Sequence, residues 1–314
     1  MKTVFVSADE KDCSGHILEA ILAIRNGGME ITAKKCLTEE EMEEAAADAD
    51  IIWFWGRCPG LTAELLPKLP RLKAIFRSGS GLDAIPVEEC TKRGIAVCNT
   101  PESISEAVAE HAVALLHALA KKIPMSFQEV QKGNWLTDGA INCVHMTGRT
   151  LGLVGYGRIA RRVEEILSGY RMQVLFHDPF VEGSVPLEKV LKEADFISLH
   201  CPLTEETRHW INKDSFAMMK KTALLINTSR GAVIDEAALV EALKNGEIAG
   251  AALDVTEEEP LAKESPLRTL PNVIITPHVA AFTDRFQEIF WSCSARKVLA
   301  LLGGDFRKES TNLR

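Results

Sequence analysis

The sequence has no Cys-x-x-Cys pair and no Cys/His spacing that matches a metal-ligand set, which argues against a zinc site or a dithiol redox centre. Its eight cysteines, at positions 13, 36, 58, 90, 98, 143, 201 and 293, are scattered through mostly apolar surroundings and read as reduced, buried thiols. There is no apolar run of about 18 residues, the length a membrane-spanning helix needs. Basic excess is also missing: 36 Lys and Arg against 44 Asp and Glu leave a formal net charge of −8. Nucleic acid and anionic membrane are therefore poor partners, and small-molecule chemistry is the better expectation. Met1-Lys2 leads directly into a strand-like segment rather than a secretory leader, so a cytoplasmic protein is expected. Internal repeats and low-complexity tracts are absent. His111 and His117 share one apolar helix without standing four apart, which reads as packing rather than metal ligation.

What is present is an ordinary globular composition, 46% hydrophobic and 25% charged, over 314 residues. That length exceeds the roughly 250 to 300 residues at which one core stops growing, so two domains are expected. Thr3 to Ser7, Met29 to Ala33, Ile51 to Trp55, Ala74 to Arg77 and Ile95 to Val97 read as strands. With helices over His16–Arg25 and Thr38–Ala46 between the first of them, the alternation implies a parallel sheet. A long apolar helix over Ala107–Leu119 looks like a connector, followed by a polar arm to Gly148. A second alternating series then runs from Leu151 to Pro277, with strands at Phe196–His200, Ala223–Asn227, Gly250–Asp254 and Val273–Thr276. The last helix, about Arg285 to Leu302, follows the completed second sheet and is expected to return to the first lobe. The expected fold is thus α/β, two Rossmann-like domains with parallel sheets. The first, 1–99 plus 286–314, is discontinuous and completed by the C-terminal helix; the second, 100–285, binds the nucleotide.

The nucleotide assignment rests on Gly155-Tyr156-Gly157-Arg158-Ile159-Ala160, placed directly after the apolar run Leu151–Val154 and before a helix through Arg161–Leu167. At a strand-to-helix turn Gly155 allows the tight bend, and Gly157 lets a pyrophosphate approach the helix N-terminus. Ala160 is small enough for close helix–strand packing. Asp178 ends the next strand-like run, Met172–His177, where an acidic side chain can accept both ribose hydroxyls. Pro179 and Phe180 follow, so no cation waits for a 2′-phosphate, and NAD rather than NADP is expected.

Three charged groups end strands of the second series: Arg230 in Asn227-Thr228-Ser229-Arg230-Gly231, Glu259 in Glu257-Glu258-Glu259-Pro260, and His278 in Thr276-Pro277-His278. Oxidising a hydroxy acid needs a carboxylate anchor, a base and a hydride acceptor. The planar fork of Arg suits the first, and His titrates near working pH and suits the second. A carboxylate beside the imidazole would orient it and raise its pKa. Glu259 is the candidate, although spacing alone does not choose among the three consecutive glutamates.

Taken together, these motifs, with His200-Cys201-Pro202-Leu203-Thr204 and Asp254-Val255, resemble the D-isomer-specific 2-hydroxyacid dehydrogenase family over nearly the whole chain. The resemblance implies Arg230 as carboxylate anchor, His278 as general acid/base and Glu259 as its partner. It implies cofactor contacts from Gly155, Gly157, Arg158, Ile159, Asp178, His200, Pro202, Thr207, Thr228, Arg230, Asp254 and His278, with Asp254 at the nicotinamide carboxamide and the His200–Leu203 segment on the adenine side. In the first lobe, Arg77-Ser78-Gly79-Ser80-Gly81-Leu82-Asp83 resembles the family loop whose backbone N–H groups receive the substrate carboxylate, which puts Ser80 and Gly81 at the substrate.

The chain departs from the family pattern at Ile104, where many members carry Asn, and at Ala280-Ala281, where many have Gly. Neither change removes a catalytic group, but both leave the acid open: glyoxylate, hydroxypyruvate or a phosphoglycerate-like substrate. Arg57, after the aromatic pair Trp53 and Trp55, is a candidate contact for a second anionic group. The alternatives to a hydroxyacid dehydrogenase are a phosphite- or formate-type dehydrogenase on the same fold, or an NAD-sensing, corepressor-like interaction protein. Formate-type enzymes lack the acidic partner of the histidine, so Glu259 counts against that reading. The arm from about Lys121 to Gly148, with Trp135, resembles the family's dimerising region, so a homodimer is expected. An appended regulatory module is not expected.

Overall fold

A computed structural model describes residues 1–135 and 142–313. Its contacts divide the chain into two compact units, Met1–Ile104 with Asp284–Arg314, and Ser105–Thr283.

The first unit is a five-stranded parallel sheet. Its strands are β1 (Lys2–Phe5), β2 (Glu30–Ala33), β3 (Ile51–Trp55), β4 (Ala74–Ser78) and β5 (Ala96–Asn99), in the order β2-β1-β3-β4-β5. The central strands are apolar without alternation because helices cover both faces. Between strands lie α1 (Gly15–Asn26), α2 (Glu39–Ala46) and α3 (Val87–Lys92). The start of α2 is fixed chemically. Thr38 Oγ1 accepts the Glu41 N–H at 3.3 Å and the Glu41 carboxylate accepts the Thr38 N–H at 3.3 Å, so two of the helix's open donors are satisfied reciprocally.

The second unit begins with α4 (Ser105–Ala120) and α5 (Ile123–Gln131). The sequence reads α4 as a connector, but its Ala109, Ala112, Leu116 and Ala120 pack with Leu151, Leu153 and Ala252, so it is a core helix of this unit. Six parallel strands follow, β6 (Thr150–Val154), β7 (Gln173–His177), β8 (Phe196–Leu199), β9 (Leu224–Asn227), β10 (Gly250–Leu253) and β11 (Val273–Ile275). Helices α6 (Arg158–Leu167), α7 (Leu187–Glu193), α8 (Lys213–Met218) and α9 (Glu236–Lys244) alternate with them. The order β11-β10-β9-β8-β6-β7 reverses direction at β6, and a crevice at the strand C-termini beside such a switch is where open α/β sheets bind ligands. Gly152 in β6 allows α7 to sit close, since a Cβ there would lie 2.7 Å from Val190 Cγ1 and 2.8 Å from Ala194 Cβ.

The chain then returns to the first unit as α10 (Phe286–Ala300) and α11 (Phe306–Glu309). Trp291 meets the rings of Phe5, Trp53 and Trp55 edge-on at centroid distances of 6.1, 6.0 and 5.9 Å. Ser294 Oγ is 2.8 Å from Ser78 Oγ, which also accepts the Trp53 indole N–H at 2.8 Å. The first domain is therefore discontinuous and completed by the C-terminal helix, as its sequence position implies. All eight cysteines are free thiols; Cys143 is the exposed exception to the buried pattern. Among the described residues no helix is long and apolar enough to cross a membrane. Part of the expected dimerising arm, residues 136–141, lies outside the described residues. Ile123, Phe127 and Val130 of α5 and the neighbouring Trp135 are all exposed.

Candidate active site

The glycine turn is shaped by close approach. Gly155 has φ +81°, and a Cβ on it would lie 2.7 Å from the Cys201 N and 2.8 Å from the His200 carbonyl carbon. The turn therefore tucks beneath the end of β8, where only glycine fits. Gly157, by contrast, has open space where its Cβ would stand, and it caps α6 with no side chain bonded to the helix's first N–H groups. Arg158 is exposed at the first helical position and Ile159 half-buried behind it. Asp178 is tied to this turn: one carboxylate oxygen accepts the Tyr156 N–H at 2.8 Å and the other the Phe180 N–H at 3.0 Å. The Tyr156 ring stacks on Phe176, centroids 3.9 Å apart, with the Arg161 guanidinium 4.3 Å from the Tyr156 ring centroid.

The segment after β8 is held mostly by its own bonds. Burial pushes the His200 imidazole down to about 4, so it is neutral, and its Nε2 lies 2.9 Å from Ser198 Oγ. Thr207 Oγ1 donates to the Pro202 carbonyl at 2.7 Å and accepts the Thr204 N–H at 2.7 Å. Thr228 is different. Its hydroxyl is buried at the C-terminal end of β9 and has no hydrogen-bond partner among the described residues. A buried orphan oxygen at a strand end, an uncapped helix N-terminus with room at Gly157, and an acid at the end of β7 together suit a bound dinucleotide. These residues fit the cofactor that the glycine motif implies. Among the described residues no cluster of His, Cys, Asp and Glu could hold a metal ion.

The charged groups of the second unit converge on one turn. His278 Nδ1 lies 2.8 Å from Glu259 Oε2. Of the three consecutive glutamates, Glu257 has other business: it pairs with His209 Nε2 at 2.6 Å and brackets the start of α9. Arg230 ends the β9 loop, where the buried Asn227 amide donates to the Arg230 carbonyl at 2.9 Å and its oxygen accepts from Ser229 N and Oγ. Gly231 passes so near the next loop that a Cβ would lie 1.9 Å from the Thr256 carbonyl oxygen, which pins the Arg230 loop against the Glu259 loop.

His278 has φ +54°, a left-handed conformation uncommon for a residue with a side chain. Asp254 holds it there. The Asp254 carbonyl accepts the His278 N–H at 2.8 Å, and its carboxylate accepts the Val279 and Ala280 N–H groups at 3.0 and 2.9 Å and the Thr276 hydroxyl at 2.5 Å. The resemblance implied only a cofactor contact for Asp254; in the structure its carboxylate holds the His278 turn. His111, read from the sequence as packing, stands with its Nε2 3.0 Å from Thr276 Oγ1.

The pKa directions follow from this geometry. The hydrogen bond to Glu259 raises His278 above its ordinary 6.5; burial opposes this, and the charges of Glu259 and Asp254 reinforce it. Burial would raise Glu259, but the bond to His278 and its charge hold the carboxylate below 4.5. Asp254 is likewise pulled up by burial and held down by His111, Thr276 and the two backbone donors. Because the His278 pKa is raised in the fold, its share of the pair's stability is full below 6.5 and lost as pH rises through the folded value. The Glu259 pKa is depressed, so its share is present above 4.5 and lost as pH falls through its folded value.

In the first unit, the loop after β4 is held through its carbonyls. Asn99 Nδ2 donates to the Ser80 carbonyl at 2.8 Å, and the Arg77 guanidinium donates to the Gly81 carbonyl. Gly79, at φ +101°, donates to Thr100 Oγ1 at 2.8 Å. The Ser80 and Gly81 N–H groups meet no acceptor among the described residues. Arg57 is exposed just beyond Gly56 at the end of β3.

The family model for the D-isomer specific 2-hydroxyacid dehydrogenase NAD-binding domain matches residues 113–280. The chain is 40% identical over 266 residues to a glyoxylate reductase of Korarchaeum cryptofilum, covering 80% of each chain. It is 38% identical over 294 residues to a D-3-phosphoglycerate dehydrogenase of Methanocaldococcus jannaschii, covering 90% of this chain but 56% of that protein, so it spans little more than half of that relative. The solved D-lactate dehydrogenase of Aquifex aeolicus, complexed with NAD and lactic acid, superposes with a TM-score of 0.83 at 32% identity and covers 99% of both chains. With these relatives, two α/β units with parallel sheets and, in the second, a glycine strand-to-helix turn and a hydrogen-bonded His278–Glu259 pair, the protein is an oxidoreductase. The chain belongs to the D-isomer specific 2-hydroxyacid dehydrogenase family and carries its NAD-binding domain.

The His278–Glu259 geometry predicts that the His278 imidazole, followed by NMR titration, has a midpoint above 6.5 and that Glu259→Gln lowers it. An unchanged midpoint in that variant would show that the carboxylate does not act on the imidazole.

Proposed function

We propose that the protein is an NAD-dependent D-2-hydroxyacid dehydrogenase acting as a reductase of small 2-oxo acids, glyoxylate and hydroxypyruvate first, with phosphoglycerate-like acids next. The observation that carries this reading is the 2.8 Å His278 Nδ1–Glu259 Oε2 pair on a turn built beside Arg230. Glu259 holds Nδ1 protonated, which leaves Nε2 as the atom that exchanges a proton with substrate. In reduction the imidazolium donates that proton to the carbonyl oxygen; in oxidation the neutral ring takes it from the hydroxyl. Arg230 anchors the substrate carboxylate and polarises the adjacent carbonyl. In the first unit, the Ser80 and Gly81 N–H groups are the ones we assign to substrate binding. The hydride that reduces C2 of the acid would come from NADH bound in the second unit. Gly155, Gly157, Thr228 and Asp178 are the residues we assign to hold it, with Asp178 disfavouring a 2′-phosphate by charge.

The domain roles follow the same reading: 1–99 with 286–314 binds substrate, and 100–285 binds NAD. Eight free cysteines suit a reducing compartment, and we place the protein in the cytoplasm. The exposed Ile123, Phe127 and Val130, spaced four and three apart on α5, form an apolar stripe that supports a homodimer through the arm. Light scattering at micromolar concentration is expected to give a dimer mass, and a monomer mass would remove the arm from this reading.

A panel of glyoxylate, hydroxypyruvate, pyruvate and phosphohydroxypyruvate with NADH and NADPH tests the function. The expected outcome is turnover of at least one small 2-oxo acid with NADH preferred. His278→Ala should lower kcat by about 10² to 10⁴. Arg230→Ala should damage both kcat and KM, by roughly the 1.5 to 3 kcal/mol of a charge-assisted hydrogen bond. Tight NADH binding without turnover of any acid would instead favour an NAD-sensing interaction protein.

A further inference from the structure

His111 sits 165 residues from Thr276 in the chain, yet its Nε2 is 3.0 Å from Thr276 Oγ1. Its neighbours on α4, Ala109, Ala112 and Val113, all enter the apolar core, where an imidazole needs a specific partner. The protonation pattern can be worked out from the distances. Asp254 is ionised and can only accept, so the 2.5 Å contact from Thr276 Oγ1 to Asp254 Oδ1 takes the hydroxyl proton. The lone pairs that remain on Thr276 Oγ1 can then bond His111 only if Nε2 carries the hydrogen. That same nitrogen is 3.5 Å from Asp254 Oδ1, so the donor faces both oxygens.

We propose that His111 is a positioning residue for the acid/base histidine. Through the Thr276 hydroxyl it fixes the Asp254 carboxylate, and through that carboxylate the left-handed turn that presents His278 to Glu259. Each link is a direct contact within one unit: His111 to Thr276, Thr276 to Asp254, Asp254 to the N–H groups of Val279 and Ala280, and the Asp254 carbonyl to the N–H of His278. The charged groups acting on His278 are Glu259, Asp254 and Arg230, and of these Asp254 is the one paired with His111. Without the His111 donor, the Thr276 hydroxyl is held only by its bond to Asp254, and the turn loses part of the cage that holds φ at +54°. The 2.8 Å bond from Nδ1 to Glu259 then loosens, and with it the proton affinity of His278.

This inference rests on the proposed dehydrogenase function only for its kinetic arm. The test compares His111→Leu, which removes the donor, with His111→Gln, which keeps an N–H at similar reach. The first readout is NMR titration of the His278 imidazole in the protein without cofactor. His111→Leu should lower the midpoint by about 0.5 in pH, and His111→Gln should restore most of it. The second is reduction of the preferred 2-oxo acid, where His111→Leu should cost about tenfold in kcat with KM within about twofold, as expected of a group acting in the transition state. Thr276→Val breaks the same relay from its other end and replaces His111→Leu should that variant not fold. A His278 midpoint equal to wild type in the variant lacking the relay overturns the proposal. A wild-type protein that reduces none of the acids defeats the functional reading, while the titration still decides the role of His111.

Discussion

A single buried carboxylate, Asp254, organises the turn that carries His278. Leaving a charge such as Asp254 out of water costs several kcal/mol unless donors replace the lost hydration. Here they are the N–H groups of Val279 and Ala280 and the hydroxyl of Thr276. Satisfying Asp254 and building the His278 turn are therefore the same act. A left-handed residue costs about 1 to 3 kcal/mol and persists where its surroundings over-determine it, as the three successive N–H bonds at 278, 279 and 280 do.

The rest of the site is arranged by backbones that nearly touch. Gly155 beneath Cys201 and Gly231 against Thr256 each occupy a gap in which a Cβ would collide with main chain. These approaches bring together the ends of β6 and β8, where the strand order switches, and the loops that follow β9 and β10. The cofactor turn and the His–Glu pair are thus products of one sheet geometry, with residues distant in sequence meeting because parallel strands all end on the same side.

Much of this was legible in the sequence for identifiable reasons. Strand-to-helix turns announce themselves by glycine, so Gly155, Gly157 and the strand end at Asp178 could be placed. Arg230, Glu259 and His278 each follow an apolar run, which put them at the ends of strands. Sequence spacing could not separate Glu259 from Glu257, because the difference lies in partners: His278 for one, His209 and the start of α9 for the other. Nor could it show that α4 is a core helix or that His111 bonds Thr276. The signal was there in weak form, an imidazole on an apolar helix whose neighbours three and four positions away, Ala107, Val108, Ala114 and Leu115, offer it no polar partner. The partner became visible only when the fold joined positions 165 residues apart.

The account stands on one proton held at His278, and the pH dependence of both reaction directions in the wild-type enzyme reads that proton directly. Reduction of the 2-oxo acid by NADH should fall, and oxidation of the D-2-hydroxy acid by NAD should rise, through a common pH lying above 6.5. Profiles that are flat in this range, or that change in the same sense in both directions, would contradict the assignment of His278 as the group that carries the proton.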